Sequence, residues 1–184
     1  QKIDLTVVGP EDVLIAGIVD RFRDGHLRIF GPNKRASTIE GSKVFAKNIM
    51  RKHSIPTADF KVFEDIKQAK KHITTCEFPL VIKADGLAKG KGVFICKTLD
   101  DADKHLDNIM KGKIFGHAGD KVVIEEFLSG EEVSILAVTD GNTILPLSSV
   151  QDHKAAYDGD KGPNTGGMGA YSPVPFITEE LQYS

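Results

Sequence analysis

The chain has no tryptophan, only two cysteines and no large excess of either charge, and each shortage narrows what it can be. Cys76 and Cys96 stand twenty positions apart, with no His or Cys at metal-ligand spacing, so neither a disulfide framework nor a zinc motif is legible. They read as reduced thiols, and the cytosol is the expected compartment. A net charge of -2 and a pI near 6.3 provide no bulk attraction to nucleic acid or an anionic membrane, and neither is expected as a partner. No apolar run approaches the roughly 18 residues of a membrane span, and no charged-then-apolar leader opens the chain, so a soluble protein is expected. Its 184 residues suffice for one ordinary domain or two small ones.

Apolar periodicity gives the organisation. A strand at 3–9 runs into Gly9-Pro10-Glu11-Asp12, then Val13, Leu14, Gly17, Ile18 and Phe22 mark a helix to about Arg23, and Arg28 to Phe30 is a short strand. That is β-α-β, the unit of a parallel sheet. Helices are expected over Lys34 to Gly41 and over Ser42 to His53, the second with a serine cap. Near Pro56 the pattern changes. Strands at 59–63, 79–84, 93–97, 122–127 and 133–140, with helices at 66–74 and 99–110, read as α+β, and Asp140-Gly141-Asn142 reads as a hairpin turn. From Gln151 to Ser172 little periodicity remains, and an irregular functional segment is expected. Ile3 to Gly9 has no preceding partner strand and Ile177 to Leu181 opens a helix that does not develop, so a fragment of a longer protein is expected.

The strongest chemical signal runs from Pro79 to Ile95. An apolar strand ends in Lys83, a loop follows with Gly86, Gly90 and Gly92 and the lysines Lys89 and Lys91, and a second apolar strand returns. Glycine lets the main chain approach a polyphosphate and aim N–H groups at it, and lysines add point charges. The spacing is not that of a Walker P-loop, and a strand follows rather than a helix. Spacing alone also fits a plain hairpin with solvated lysines. A second signal is Val122 to Ser134, where Glu125-Glu126 end one strand and Glu131-Glu132 precede the next. Such a linker can meet a purine edge with its backbone and ribose hydroxyls with a carboxylate, while surface acids beside a turn remain the alternative. The third is Gln151-Asp152-His153-Lys154 with Gly162 to Pro173, a loop rich in small donors suited to a small anionic substrate. Lys43 is the fourth, and in isolation it also fits a solvated helix lysine. His153 has no partner that makes it a base, the other histidines are scattered, and no Ser-His-Asp arrangement is legible.

Together, Gly9-Pro10-Glu11, Ser42-Lys43, Ile82 to Gly92, Glu125 to Glu132, Gln151 to Lys154 and Gly162 to Pro173 resemble, in order and over essentially the whole chain, the glycinamide ribonucleotide synthetase family of the ATP-grasp superfamily. The resemblance implies α/β and α+β architecture: residues 1–54 as the end of an amino-terminal α/β domain with connecting helices, 55–130 as the ATP-grasp lid, and 131–184 as a truncated start of the central subdomain. It implies ATP-dependent joining of glycine to 5-phosphoribosylamine through a glycyl phosphate, in purine biosynthesis, with ATP and magnesium or manganese as cofactors. By the same resemblance Lys43 and Lys83 reach ATP phosphates, the loop with Lys89, Gly90, Lys91 and Gly92 closes over them, Glu125, Glu126, Phe127 and Leu128 frame the adenine, and Glu132 holds the ribose. Glu11, Asp152, Lys154, Asn164, Thr165 and Gly167 would face the two substrates, with Lys83, Asp152 and Lys154 closest to the chemistry.

Two departures stand against the pattern. Val13-Leu14 replaces the usual Pro-Leu, and Ile15-Ala16 also differs, changes expected to affect packing. The chain also stops before the later Glu and Asn that hold magnesium in the family, so no metal ligand is expected within it and a fragment without turnover is expected. By the same resemblance the chain is expected to start after the family's first strand and its glycine loop. An ATP-binding module without ligase chemistry, or a related ATP-grasp ligase with another carboxylate, are the alternatives. Fusion of the parent chain to other purine-pathway enzymes is open.

Overall fold

Short apolar segments punctuated by glycine set the start of the fold. The computed structural model describes residues 2–88, 91–159 and 161–182. It divides into two compact units, Gln1–Leu128 and Ser129–Ser184. The first opens with β1 (Thr6–Val7), α1 (Glu11–Ile15), α2 (Ile18–Asp24) and β2 (Ile29–Phe30), with β1 and β2 parallel and Thr6 opposite Ile29. This is the β-α-β unit read from the sequence, with both strands trimmed to two residues. The single helix expected to Arg23 is two helices. Gly17 lies between them at φ 91, a left-handed conformation that side chains resist.

Next come α3 (Thr38–Gly41) and α4 (Lys43–Lys52). The helix expected from Lys34 starts only at Thr38, because Asn33 Oδ1 accepts the Ala36 N–H at 2.8 Å and holds a turn there. The serine cap is present: Ser42 Oγ accepts the Phe45 N–H at 3.1 Å. A sheet unit follows: β3 (Phe60–Phe63), α5 (Ile66–Ile73), β4 (Leu80–Ala84), β5 (Val93–Cys96), α6 (Leu99–Leu106) and β6 (Val122–Glu126). The four strands are antiparallel neighbours in the order β3-β6-β4-β5.

Alternation along β4 and β6 assigns their two faces. Leu80, Ile82 and Ala84, with Val122 and Ile124, meet Ala69 and Ile73 of α5 and Ala102 and Leu106 of α6 in one buried cluster. A fully buried Ile or Leu there contributes about 1.5–3 kcal/mol of transfer free energy. The other face holds Val81, Lys83, Val123 and Glu125, with α4 against β6. The helix expected to Met110 stops being α at Leu106 and continues as a π-helical turn at Asp107–Lys111, closed by Gly112 N–H to Asp107 O at 2.8 Å. The wider turn still buries Ile109 and Met110. Cys76 and Cys96 are both free, and burial pushes the Cys96 thiol up to about 11, as an inert core cysteine requires.

The second unit contains β7 (Ala137–Thr139), β8 (Ile144–Pro146), β9 (Gln151–Tyr157), β10 (Lys161–Tyr171) and α7 (Glu179–Gln182). The β7–β8 hairpin has the turn read from Asp140-Gly141-Asn142, with Asp140 Oδ1 accepting the N–H groups of Asn142 and Thr143. The strand expected from Val133 contracts to three residues, preceded by an isolated bridge between Ser134 and Val150. The expectation of an irregular segment from Gln151 to Ser172 is corrected. β9 and β10 form an antiparallel pair, from Lys161 opposite Tyr157 to Tyr171 opposite Gln151. Its glycines hide the alternation that betrays a strand, since the pairing lies in the backbone and not in side-chain pattern. Among the described residues no helix is long and apolar enough to cross a membrane.

The His105 ring stacks on Phe94 with centroids 4.1 Å apart, and burial, reinforced by Lys104 and opposed by Asp101, lowers its pKa below the ordinary 6.5. The unfolded chain therefore takes up this proton first as pH falls, so stability is lost on acidification from about 6.5 towards the lower folded pKa. His105→Gln should shrink the loss of Tm between about pH 7.5 and pH 5.5. Thermal melts with the wild-type pH slope would count against this.

Candidate functional site

Of the cations read from the first unit's sequence as phosphate ligands, Lys43 and Lys83 lie on or beside the face of the β3-β6-β4-β5 sheet that meets α4. Lys83 is the one residue of β4 that is not buried, because its strand position points it to the α4 face near the strand end. Its Nζ forms an ion pair with Glu125 Oε1, from the neighbouring strand β6. Glu125 is 6% exposed, and its other oxygen, Oε2, lies 2.6 Å from Lys47 Nζ on α4. One buried carboxylate thus joins two lysines from two other elements.

Lys43 opens α4, one turn before Lys47. Its Nζ donates to Gly86 O at 3.0 Å and its backbone N–H to Asp85 O at 3.0 Å. Burial lowers the Lys43 pKa from the ordinary lysine value, with Lys83 adding to the effect and Asp85 and Glu40 opposing it. The Asp85 carboxylate sits at the start of the same helix, where Oδ1 accepts from Ser42 Oγ at 2.9 Å and from Val44 N–H at 2.8 Å. An anion at a helix N-terminus meets the unpaired N–H groups and the positive end of the dipole. The Asp85 N–H donates in turn to Ala118 O and Lys121 O. The loop leaving β4 is therefore rooted between α4 and the short 3₁₀ turn Gly116–Gly119.

At the other root, Ala84 N–H donates to Gly92 O at 2.9 Å and Lys91 N–H to Ala88 O at 2.9 Å. A Cβ on Gly92 would stand 2.5 Å from that of Ala88, so the close approach of the two loop arms requires glycine here. Lys91 is exposed. Lys89 and Gly90 lie outside the described residues. Past Glu125, Glu126 Oε1 accepts the Asp59 N–H at 2.8 Å, while Phe127 and Leu128 are exposed apolar groups. Glu11 is exposed at the first position of α1.

In the second unit Glu132 is exposed in the stretch before β7. The β9–β10 hairpin gathers the rest. Asp152 and Lys154 share a face of β9, with Oδ2 and Nζ 3.4 Å apart. Asn164 pairs with Ala155 and Gly169 with His153, so 165–168 bulge out opposite Lys154. Within the bulge Thr165 Oγ1 accepts the Gly167 N–H at 3.0 Å. His153 stacks on Tyr171, with centroids 5.8 Å apart.

Sequence reasoning missed Lys47 and gave Asp85 no task. Lys47 follows Lys43 by four residues on a helix whose inward side is otherwise apolar, so a lysine at a core-facing position was the available signal. Asp85 offered none, since its role depends on a helix start forty residues earlier. Among the described residues no group of three or more His, Cys, Asp or Glu is disposed to hold a metal ion.

The family model described as phosphoribosylglycinamide synthetase, N domain, matches residues 1–40, and that described as phosphoribosylglycinamide synthetase, ATP-grasp (A) domain, matches residues 41–184. The chain belongs to the phosphoribosylglycinamide synthetase family. A phosphoribosylamine-glycine ligase of Halalkalibacterium halodurans is 55% identical over 178 residues, covering 97% of this chain and 42% of the relative. The crystal structure of the phosphoribosylamine-glycine ligase of Thermotoga maritima superposes with a TM-score of 0.81 at 39% identity, over 93% of this chain and 42% of that one. A likeness in fold alone extends to the biotin carboxylase domain of the Hydrogenobacter thermophilus 2-oxoglutarate carboxylase, at TM-score 0.74 and 15% identity, over 98% of this chain and 39% of that one. The chain thus spans about 42% of the length of the curated relatives it matches, and over that span the N domain match is followed by the ATP-grasp domain match.

Asp85→Ala removes two hydrogen bonds from the start of α4 and one side of the loop root. Unfolding in urea should show a loss of about 1–3 kcal/mol. A midpoint equal to wild type would mean that the loop root does not depend on this carboxylate.

Proposed function

We propose that the full-length protein joins glycine to 5-phosphoribosylamine, consuming ATP and releasing ADP, phosphate and glycinamide ribonucleotide, in the purine pathway and in the cytosol. The single observation behind this reading is the pairing of Lys43 and Lys83 at the root of the β4–β5 loop, in a chain of this family. Residues 1–54 would belong to the amino-terminal domain, 55–130 to the lid over ATP, and 131–184 to the start of the central subdomain.

The chemistry asks for such an arrangement. A glycine carboxylate attacks the γ-phosphorus, two anions approach one another, and ADP departs. Cations held in place before the reaction stabilise the charge that builds on the transferring group. Lys43 and Lys83 would meet the phosphates, with Lys89, Gly90, Lys91 and Gly92 closing over them. Glu125 to Leu128 would frame the adenine and Glu132 the ribose. Glu11, Asp152, Lys154, Asn164, Thr165 and Gly167 would position glycine and the phosphoribosylamine. The amine then attacks the glycyl phosphate carbonyl, phosphate leaves, and the amine gives up a proton. Magnesium or manganese, which neutralises phosphate charge in such transfers, would take its ligands from elsewhere in the full-length protein. Fusion to further purine-pathway enzymes in a longer parent is compatible with this reading.

The decisive assay is phosphate release by the full-length protein with ATP, glycine and 5-phosphoribosylamine, omitting each in turn. Release that needs all three supports the reading, and a folded protein that binds ATP yet releases nothing refutes it. Lys83→Ala should weaken ATP binding by about tenfold or more, because a charge-assisted contact to phosphate is lost. An unchanged titration would remove Lys83 from the site.

A further inference from the structure

Lys47 has no task in the reading above, and its setting is costly for a lysine. Among the described residues, Lys47 and Glu125 are the charged side chains that lie buried. The Lys47 ammonium donates to Thr57 Oγ1 at 2.7 Å and to Ala58 O at 3.3 Å, and it lies 2.6 Å from Glu125 Oε2 in an ion pair. Its charge also lies 5.3 Å from the centroid of the Phe60 ring. Two hydrogen bonds and a buried ion pair thus hold the Lys47 ammonium inside the protein, away from any ligand. Lys83 is the opposite case, with a side chain 26% exposed and Glu125 Oε1 as its ion-pair partner.

We infer that Lys47 is a positioning residue, the permanent counter-ion of Glu125 that frees Lys83 to exchange a carboxylate for a polyphosphate. The inference rests on the proposed meeting of Lys83 with ATP. When Lys83 turns to a phosphate it leaves Glu125, which is 6% exposed and poorly placed to recruit water. With Lys47 in place the carboxylate stays paired and the exchange costs little. Without Lys47, Lys83 is the sole neutralising charge, and its departure strands a buried anion. Thr57 and Ala58 belong to the connection between α4 and β3, so the same ammonium also fixes helix, connection and sheet edge to one another.

A merely structural Lys47 and a counter-ion predict different couplings, which two measurements on the full-length protein separate. Without nucleotide, competitive acetylation of Lys83, read by mass spectrometry, should be several-fold slower in Lys47→Met than in wild type, because Glu125 then holds Lys83 alone. It should recover in Lys47→Met/Glu125→Gln, where nothing is left to hold it. In calorimetric titration with ATP, Lys47→Met should bind about tenfold more weakly, or ~1.4 kcal/mol. Lys47→Arg should retain affinity, and the double variant should bind as well as Glu125→Gln alone, a strongly non-additive result. Lys83 labelling unchanged in Lys47→Met, or additive losses of affinity, would overturn the inference. Should Lys47→Met fail to fold, recovery of folding by the added Glu125→Gln supports it and continued failure overturns it. A wild-type protein that does not bind ATP refutes the proposed function, while the nucleotide-free labelling still decides whether Lys47 and Lys83 share one carboxylate.

Discussion

A carboxylate with almost no access to water must be paired, and the face of the sheet that looks towards α4 is arranged around that requirement at Glu125. Lys47 approaches from the helix and Lys83 from the adjacent strand, one to each oxygen. The register of β4 against β6 is what allows it, since Val81 stands opposite Glu125 and Lys83 lies one same-face position along. A slip of one residue would turn Lys83 into the apolar cluster under α5 and α6 and bring Ile82 to the carboxylate. Because Leu80, Ile82 and Ala84 hold that register by their burial, the core on one face fixes the electrostatics on the other.

The loop between β4 and β5 inherits its position from the same strand. Asp85, one residue beyond Ala84, reaches the start of α4, and Lys43 returns the contact through Gly86 O. Helix and loop root are thus tied in both directions within a few residues of Lys83. The ties use side chains at fixed element ends, where fewer rotamers must be frozen than on a free loop.

Periodicity made the β-α-β start, the four strands of the central sheet and their helices legible, because each buries a side with a regular repeat. Its failures have separate physical causes. Gly17 breaks a helix that the apolar spacing carries straight through. The π-helical turn after Leu106 keeps the same residues buried, so the pattern cannot distinguish it from a continued α-helix. In β9 and β10 the pairing is made by backbone groups along a glycine-rich strand, and nothing alternates. At the site, the glycine-lysine loop announced itself by composition. Lys47 and Asp85 did not, because a lysine on a helix and an aspartate beside a glycine have many ordinary uses, and only the partner brought from elsewhere in the chain defines theirs.

Three cations of the first unit have protein partners: Lys83 in Glu125, Lys43 in Gly86 O, and Lys47 in Thr57 Oγ1, Ala58 O and Glu125. On the proposed function, phosphate therefore replaces protein partners instead of filling empty positions, and affinity is the difference between two sets of contacts. That difference is smallest where the displaced partner remains satisfied. Gly86 O lies on a half-buried loop residue that water can reach, whereas Glu125 is shut away and relies on Lys47. The two lysines that would meet ATP thus depart from unlike partners, and only one of the departures requires a third lysine held in reserve.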